Sequence, residues 1–310
     1  MSIQGTVMAV CTSPEKGTGK TPRDSIRLLP DYGIEGDAHA GKWHRQVSLL
    51  SYEEIEKFRE QGAVISFGDF GENLVLSGFD LKTLPVGTRL RIGEALLEIS
   101  QIGKACHSHC AIYKSVGDCI MPREGVFTVV LEGGEIRPGM AAELIPADPN
   151  RPFRVAVITL SDRAFAGSYE DRSGPLIREM LSAAGYRVEE TLLLPDGKER
   201  LAQELRRLAD QRQIELILTT GGTGFSERDQ TPEATKAVCE REVPGIGEAL
   251  RAYSLQFTRN AILSRQTAGI RGKSLIINMP GSPKACREDL EFLLPVLPHG
   301  LGILRGSETE

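Results

Sequence analysis

Three stretches of the 310-residue chain hold side chains whose types and spacing suit chemistry. The first is Gly221-Gly222-Thr223-Gly224, directly after the apolar run Leu216-Ile217-Leu218-Thr219-Thr220. Glycines at the carboxyl end of a buried strand let backbone N–H groups approach an anion with no Cβ in the way. The plainer alternative is a tight turn between strand and helix. The second is a set of strand ends rich in small or acidic residues: Ser161-Asp162-Arg163, Leu194-Pro195-Asp196 and Met279-Pro280-Gly281-Ser282-Pro283. Open parallel sheets bind ligands outside the carboxyl ends of their strands. Asp196 and Asp229 on one rim beside a glycine loop suit Mg²⁺, which takes one or two carboxylates plus phosphate oxygens. Either Asp alone reads equally as a helix cap. The third stretch is Cys106-His107-Ser108-His109-Cys110, with Lys104 before it and Cys119 after it. An accessible thiolate among cationic neighbours can carry sulfur. Zinc fits less well, because adjacent strand residues point to opposite faces and leave too few ligands on either. Cys11, Cys239 and Cys286 lack such company and read as packing residues.

These residues need elements to hold them, and the chain offers two textures. Before residue 147, short strand-like runs dominate: Thr6–Val10, Val47–Leu50, Arg89–Ile92, Ala95–Ile99, Val126–Leu131 and Ala141–Ile145. Only Tyr52–Gln61 is plainly helical, so the pattern predicts an all-β, barrel-like domain over residues 1–147. Gly17-Thr18-Gly19-Lys20-Thr21 imitates the end of a phosphate-binding loop, but Pro14 stands where the first glycine is needed and no helix follows. It reads as a polar loop. Ala147-Asp148-Pro149-Asn150-Arg151-Pro152 marks a linker at 148–152. After it, strands Phe153–Leu160, Arg187–Leu194, Glu215–Thr220 and Ser274–Met279 alternate with helical patterns over Gly174–Ala184, Lys198–Gln213 and Lys284–Leu294. That rhythm predicts a three-layer α/β domain over 153–310 with a mostly parallel sheet.

Composition narrows the function. With 40% hydrophobic and 25% charged residues the chain is globular rather than disordered. Residues 1–150 carry 15 Lys+Arg against 20 Asp+Glu, and residues 151–310 carry 22 of each, so no basic stripe awaits nucleic acid. The longest apolar stretch, Phe292–Leu304, is broken by Pro295, Pro298 and Gly300, which argues against a membrane span. Six scattered cysteines and no secretion signal predict a cytoplasmic protein.

The second half resembles the molybdopterin adenylyltransferases. The likeness rests on Thr219–Gly224, Arg228-Asp229, Thr231-Pro232-Glu233-Ala234-Thr235, Val243–Glu248, Ala261-Ile262-Leu263-Ser264-Arg265-Gln266 and Met279–Lys284, joined by Ser161-Asp162-Arg163 and Leu194-Pro195-Asp196. The resemblance implies transfer of AMP from Mg-ATP to the terminal phosphate of molybdopterin, with release of pyrophosphate, by a homo-oligomer that is commonly a trimer. It implies that Asp196 and Asp229 hold Mg²⁺ and are catalytic. It further implies that Gly221, Gly222, Thr223 and Gly224 cradle phosphate or pterin, that Ser161, Asp162, Ser264, Gly281 and Ser282 line the cleft, and that Glu248 lies at its edge. One departure is Gly197, where a Glu is common.

The first half resembles the MOSC domain through Gly33–Gly41, Arg45–Leu49, Gly71-Glu72-Asn73-Leu74, Leu84–Gly87 and Gln101–Cys106. Asp37, His39, Glu72, Asn73 and Cys106 match that pattern, which implies a domain that binds or sulfurates the pterin cofactor through Cys106. The fusion suggests work alongside other molybdenum cofactor synthesis proteins. A molybdopterin carrier without turnover, or a sulfur-transfer protein acting through Cys106, are the other readings.

Overall fold

The computed structural model describes residues 4–104, 113 and 119–307. The chain folds as two compact units, Met1–Asp148 and Pro149–Glu310. In the first, the strands are β1 (Gln4–Thr12), β2 (Thr21–Arg23), β3 (Ile26–Leu29), β4 (Gly33–Ile34), β5 (Val47–Ser51), β6 (Leu74–Ser77), β7 (Arg89–Ile92), β8 (Ala95–Ile102), β9 (Val126–Glu132), β10 (Gly134–Ile136) and β11 (Ala141–Ile145). Seven of them close a barrel in the order β11-β7-β8-β9-β5-β6-β1, sealed by antiparallel pairing of Gln4–Thr6 on β1 with Ala141–Glu143 on β11. Only β5 and β6 run parallel within that ring. The period-2 alternation of a strand explains two cores. Val10, Leu49, Leu74 and Leu76 point into the barrel. Their neighbours Cys11, Leu50 and Val75 point outward, beneath helix α1 (Tyr52–Glu60) and Phe70. The described residues thus form a barrel wrapped on one side, and helix α2 (Met121–Glu124) adds Met121 to the outer core.

The second unit is built on β12 (Arg154–Leu160), β13 (Arg187–Leu194), β14 (Leu216–Thr220), β15 (Arg241–Glu242), β16 (Ala268–Arg271) and β17 (Ser274–Met279), in sheet order β13-β12-β14-β17-β16-β15. Its helices are α3 (Asp162–Phe165), α4 (Ser173–Ala183), α5 (Lys198–Arg206), α6 (Thr231–Val238), α7 (Pro244–Ser254), α8 (Pro283–Leu293) and α9 (Leu297–Arg305). The sheet expected to be mostly parallel carries an antiparallel edge. β13, β12, β14 and β17 are mutually parallel, whereas β16 and β15 run antiparallel at the edge. The reason is local: Gly272, at φ +55°, turns β16 straight back into β17, and so short a connection joins only antiparallel strands. The central strands β12, β14 and β17 are buried on both faces. Val155, Val157, Leu216 and Ile277 pack under α4, α8 and α9, and Ala156, Ile158, Ile217 and Ile276 under α5 and α6. The helix expected over Lys198–Gln213 is α5 followed by a π-helical turn at Arg207–Gln211.

Candidate active site

Because β12, β13, β14 and β17 are parallel neighbours, their carboxyl ends reach one rim. The loops that follow enclose a cleft of about 380 Å³ whose lining includes Ser161, Arg163, Tyr169, Gly221, Gly281 and Ser282. Close approach is built in. Gly221 has φ +96°, and a Cβ there would strike the Leu160 carbonyl; a Cβ on Gly281 would lie 3.5 Å from the Gly221 Cα. Gly222, at φ +64°, faces Thr231 in the same way. Thr220 Oγ1 donates to the Pro280 carbonyl at 2.6 Å, tying the β14 and β17 loops together.

The glycine loop spends its acceptors and keeps its donors. The Gly222 carbonyl accepts the Thr231 N–H at 3.1 Å, the Thr223 carbonyl accepts the Arg265 N–H at 3.0 Å, and the Gly224 carbonyl accepts Arg265 Nε at 2.7 Å. The N–H groups of Gly222, Thr223 and Gly224 donate to nothing among the described residues. Such a run of free amides is an anion cradle.

Carboxylates stand beside it. Asp196 and Asp162 bond reciprocally: the Asp162 N–H donates to Asp196 Oδ2 at 3.1 Å, and the Asp196 N–H to Asp162 Oδ1 at 3.0 Å. Gly197, at φ +140°, then turns the chain into α5. Partial burial pushes the Asp196 carboxyl above its usual range, and the charges of Asp162 and Asp229 push the same way. Asp229 Oδ2 accepts the Ser226 N–H at 3.0 Å. Each of Asp196 and Asp229 therefore keeps Oδ1 without a hydrogen bond among the described residues. No cluster of three His, Cys, Asp or Glu able to hold a metal occurs among those residues. The donor set fits a hard cation that draws its remaining oxygens from a phosphate ligand, and it fits no all-protein cage.

Other expected residues fall variously. Ser161 and Ser282 line the cleft but also cap helices, their hydroxyls accepting the Ala164 and Ala285 amides at 3.2 and 3.3 Å. Of the expected residues, Ser161, Gly221, Gly281 and Ser282 line that cleft, whereas Asp162, Asp196, Gly222, Thr223, Gly224, Asp229, Ser264 and Glu248 are not among its lining residues. Ser264 instead donates to Gln266 Oε1 at 2.7 Å, and Glu248 is exposed on α7. Sequence reading missed Asp171, which lines the cleft and accepts the Ser173 and Gly174 amides and the Thr159 hydroxyl. It also missed Arg265, which grips two backbone carbonyls that carry no sequence signal and pairs with Glu233.

In the first unit, Asp37 and Asn73 meet as the MOSC-like pattern suggests. Asp37 is buried and accepts Lys20 Nζ at 3.0 and 2.9 Å, the Asn73 amide at 3.0 Å, and the Ser13 and His39 N–H groups. Burial opposes its charge, but His39 and Lys20 hold it well below the usual carboxylate range. The loop expected to be merely polar thus supplies a buried counter-ion, Lys20. His39 Nδ1 lies 3.4 Å from Asp37 Oδ1. Glu72 is fully buried, takes the Gly68 N–H at 2.7 Å, and is pushed up to about 7 by burial. Cys106 and the Cys106–Cys110 cluster lie outside the described residues. Burial pushes Cys11 up to about 12 and Cys239 and Cys286 to about 11, which leaves them poor nucleophiles.

The comparisons divide the chain in the same way. The family model described as a probable molybdopterin binding domain matches residues 156–299, and that of the MOSC domain matches residues 36–143. The molybdopterin adenylyltransferase of Helicobacter pylori is 46% identical over 164 residues, covering 50% of this chain and 89% of that protein. That of Escherichia coli is 46% identical over 142 residues, covering 45% and 72%. Among solved structures, the molybdopterin biosynthesis enzyme MoaB of Thermus thermophilus is 47% identical, covers 50% of this chain and 97% of its own, and has a TM-score of 0.48. By this identity and coverage, set on the rim of strand ends and glycines described above, the chain belongs to the molybdopterin adenylyltransferase family and carries a MOSC domain ahead of the enzyme's domain.

Proposed function

We propose that the second unit transfers AMP from ATP to the terminal phosphate of molybdopterin. A phosphate oxygen of the pterin forms a bond to the α-phosphorus, the bond from that phosphorus to the bridging oxygen breaks, and pyrophosphate departs. Such transfer needs positioning and charge neutralisation more than covalent help from the protein. The observation that carries this reading is the loop whose carbonyls are all engaged while its amides at Gly222, Thr223 and Gly224 stay free beside Asp196 and Asp229. The free amides would bind phosphate oxygens. Asp196 and Asp229 would hold Mg²⁺, which when bound neutralises phosphate charge, and a cation there also relieves the crowding of three carboxylates. Asp162 acts through Asp196 by fixing its loop. The MOSC unit would bind or sulfurate the same cofactor through Cys106.

A second copy of the chain is the natural cover for the exposed Phe257, Ile262, Leu263 and Val296, in keeping with the trimer that the family resemblance implies, and sedimentation equilibrium would give the trimer mass. No described helix is long and apolar enough to cross a membrane, which is in keeping with a cytoplasmic site of action.

The test is the full chain with molybdopterin, Mg²⁺ and α-labelled ATP, beside Asp229→Asn. Wild type should label the pterin and release pyrophosphate, and the variant should lose about 100-fold or more in rate. Tight pterin binding with no label transfer would instead make the unit a carrier.

A further inference from the structure

The Gly224–Asp229 loop hangs over the rim with little beneath it. Its four inner residues, Phe225, Ser226, Glu227 and Arg228, are all exposed. One tie is the ion pair from Arg228 to Asp162 at 3.0 Å, an exposed pair that contributes little. The other is a single guanidinium. Arg265 Nε donates to the Gly224 carbonyl at 2.7 Å, Nη2 donates to the Asp229 carbonyl, and Nη1 pairs with Glu233 in the first turn of α6. The Arg265 backbone N–H adds a bond to the Thr223 carbonyl. A guanidinium is a rigid planar fork, so it fixes the spacing of the two carbonyls it grips; an ammonium cannot. With its ends so held, the loop folds the Asp229 carboxylate over Gly224, where a Cβ would lie 2.9 Å from Oδ2.

We propose that Arg265 is a positioning residue for adenylyl transfer: it touches no substrate, but its grip on both ends of the loop makes the Thr223 and Gly224 amides and the Asp229 carboxylate face one ligand together. The inference rests on the reading of the second unit as an adenylyltransferase.

The experiment compares the full-length wild type with Arg265→Lys and Arg265→Ala by label transfer and by hydrogen exchange. A misplacement of about 1 Å can cost about 100-fold in rate, and that loss is expected in kcat with the KM for molybdopterin little changed. Lysine should serve no better than alanine. Added guanidinium should restore part of kcat to Arg265→Ala and none to Arg265→Lys. The amides of Ser226, Arg228 and Asp229, which donate within the loop, should exchange faster in both variants while those of β12 and β14 stay protected. Wild-type kcat and loop protection in Arg265→Lys would overturn the proposal, as would a loss of kcat with the loop still protected and no response to guanidinium. Failure of the adenylyltransferase reading looks different: the wild type itself transfers no label, whereas loop exchange is read without turnover.

Discussion

At the scale of single residues, the sequence announces acids at strand ends and hides whatever pairs with main chain or is buried by distant partners. Asp196 was legible as a carboxylate after the apolar run Leu192-Leu193-Leu194, and Asp229 by its place after the glycine loop. Lys20 was not, because a glycine-rich polar run reads as exposed; its burial comes from Asp37, seventeen residues on. Asp289 was equally invisible. It is fully buried on α8, accepts Gln266 Nε2 at 2.7 Å and Ser254 Oγ at 3.2 Å, and burial raises its carboxyl to about 6. The sign of its linkage follows. Between about pH 4 and pH 6 the folded state binds the proton more tightly than the unfolded chain, so stability falls as pH rises through that window and the penalty persists above it. Asp289→Asn should remove this slope, a difference of about 3 kcal/mol at most at neutral pH. Urea unfolding of both proteins at pH 4, 5, 6 and 7 checks it, and parallel curves would show that Asp289 does not titrate in that window.

Elements were readable wherever burial makes them uniform. The strand over Ser274–Met279, buried throughout, has the bounds expected from its apolar run, and Arg187–Leu194 also has its expected bounds although only Leu194 of it is buried. The short β16 was not foreseen, because Ala268-Gly269-Ile270-Arg271 has neither length nor alternation, and with it went the antiparallel edge of the sheet. Helices α6, α7 and α9 carry Pro232, Pro244 and Pro298 near their starts, where the missing N–H costs nothing. A prolyl residue in a linear reading looks instead like a break. Helix α4 shows how an element end serves the cleft. Asp171 Oδ1 takes the Ser173 and Gly174 amides, each at 3.0 Å, while Oδ2 takes the Thr159 hydroxyl at 2.7 Å. Asp171→Ala leaves two helix amides and a hydroxyl without that acceptor, and should lower stability by about 1–2 kcal/mol. The expected reading is a lower urea midpoint at unchanged m; an unmoved midpoint would mean water replaces the cap at no cost.

For the whole molecule, the change of texture near residue 147 was the clearest signal, since two units with separate cores need no agreement in pattern. The start of the second unit was less visible. Pro149 and Arg151, expected as linker, are fastened to that unit: Arg305 Nη1 donates to both carbonyls at 2.8 Å, and Arg151 and Arg305 both pair with Glu215. Burial works against the Glu215 charge, but these two arginines and the Arg154 N–H hold its carboxyl below the usual range. A fragment of residues 149–310 should therefore outlast one of residues 153–310 by about 1–3 kcal/mol, seen as a higher Tm; equal melting would show the segment idle. The barrel carries a consequence of arithmetic. A closed ring of strands can alternate up and down throughout only if their number is even, and this ring has seven. One neighbouring pair must point the same way, and it is β5 and β6. Parallel neighbours cannot be joined by a hairpin, so the chain has to leave the barrel after Ser51 and travel its length before re-entering at Leu74. That excursion delivers Gly68, Glu72 and Asn73 to Asp37 and Lys20. An eighth ring strand would make the excursion unnecessary, and the buried polar centre of the first unit would lose the segment that supplies half of it.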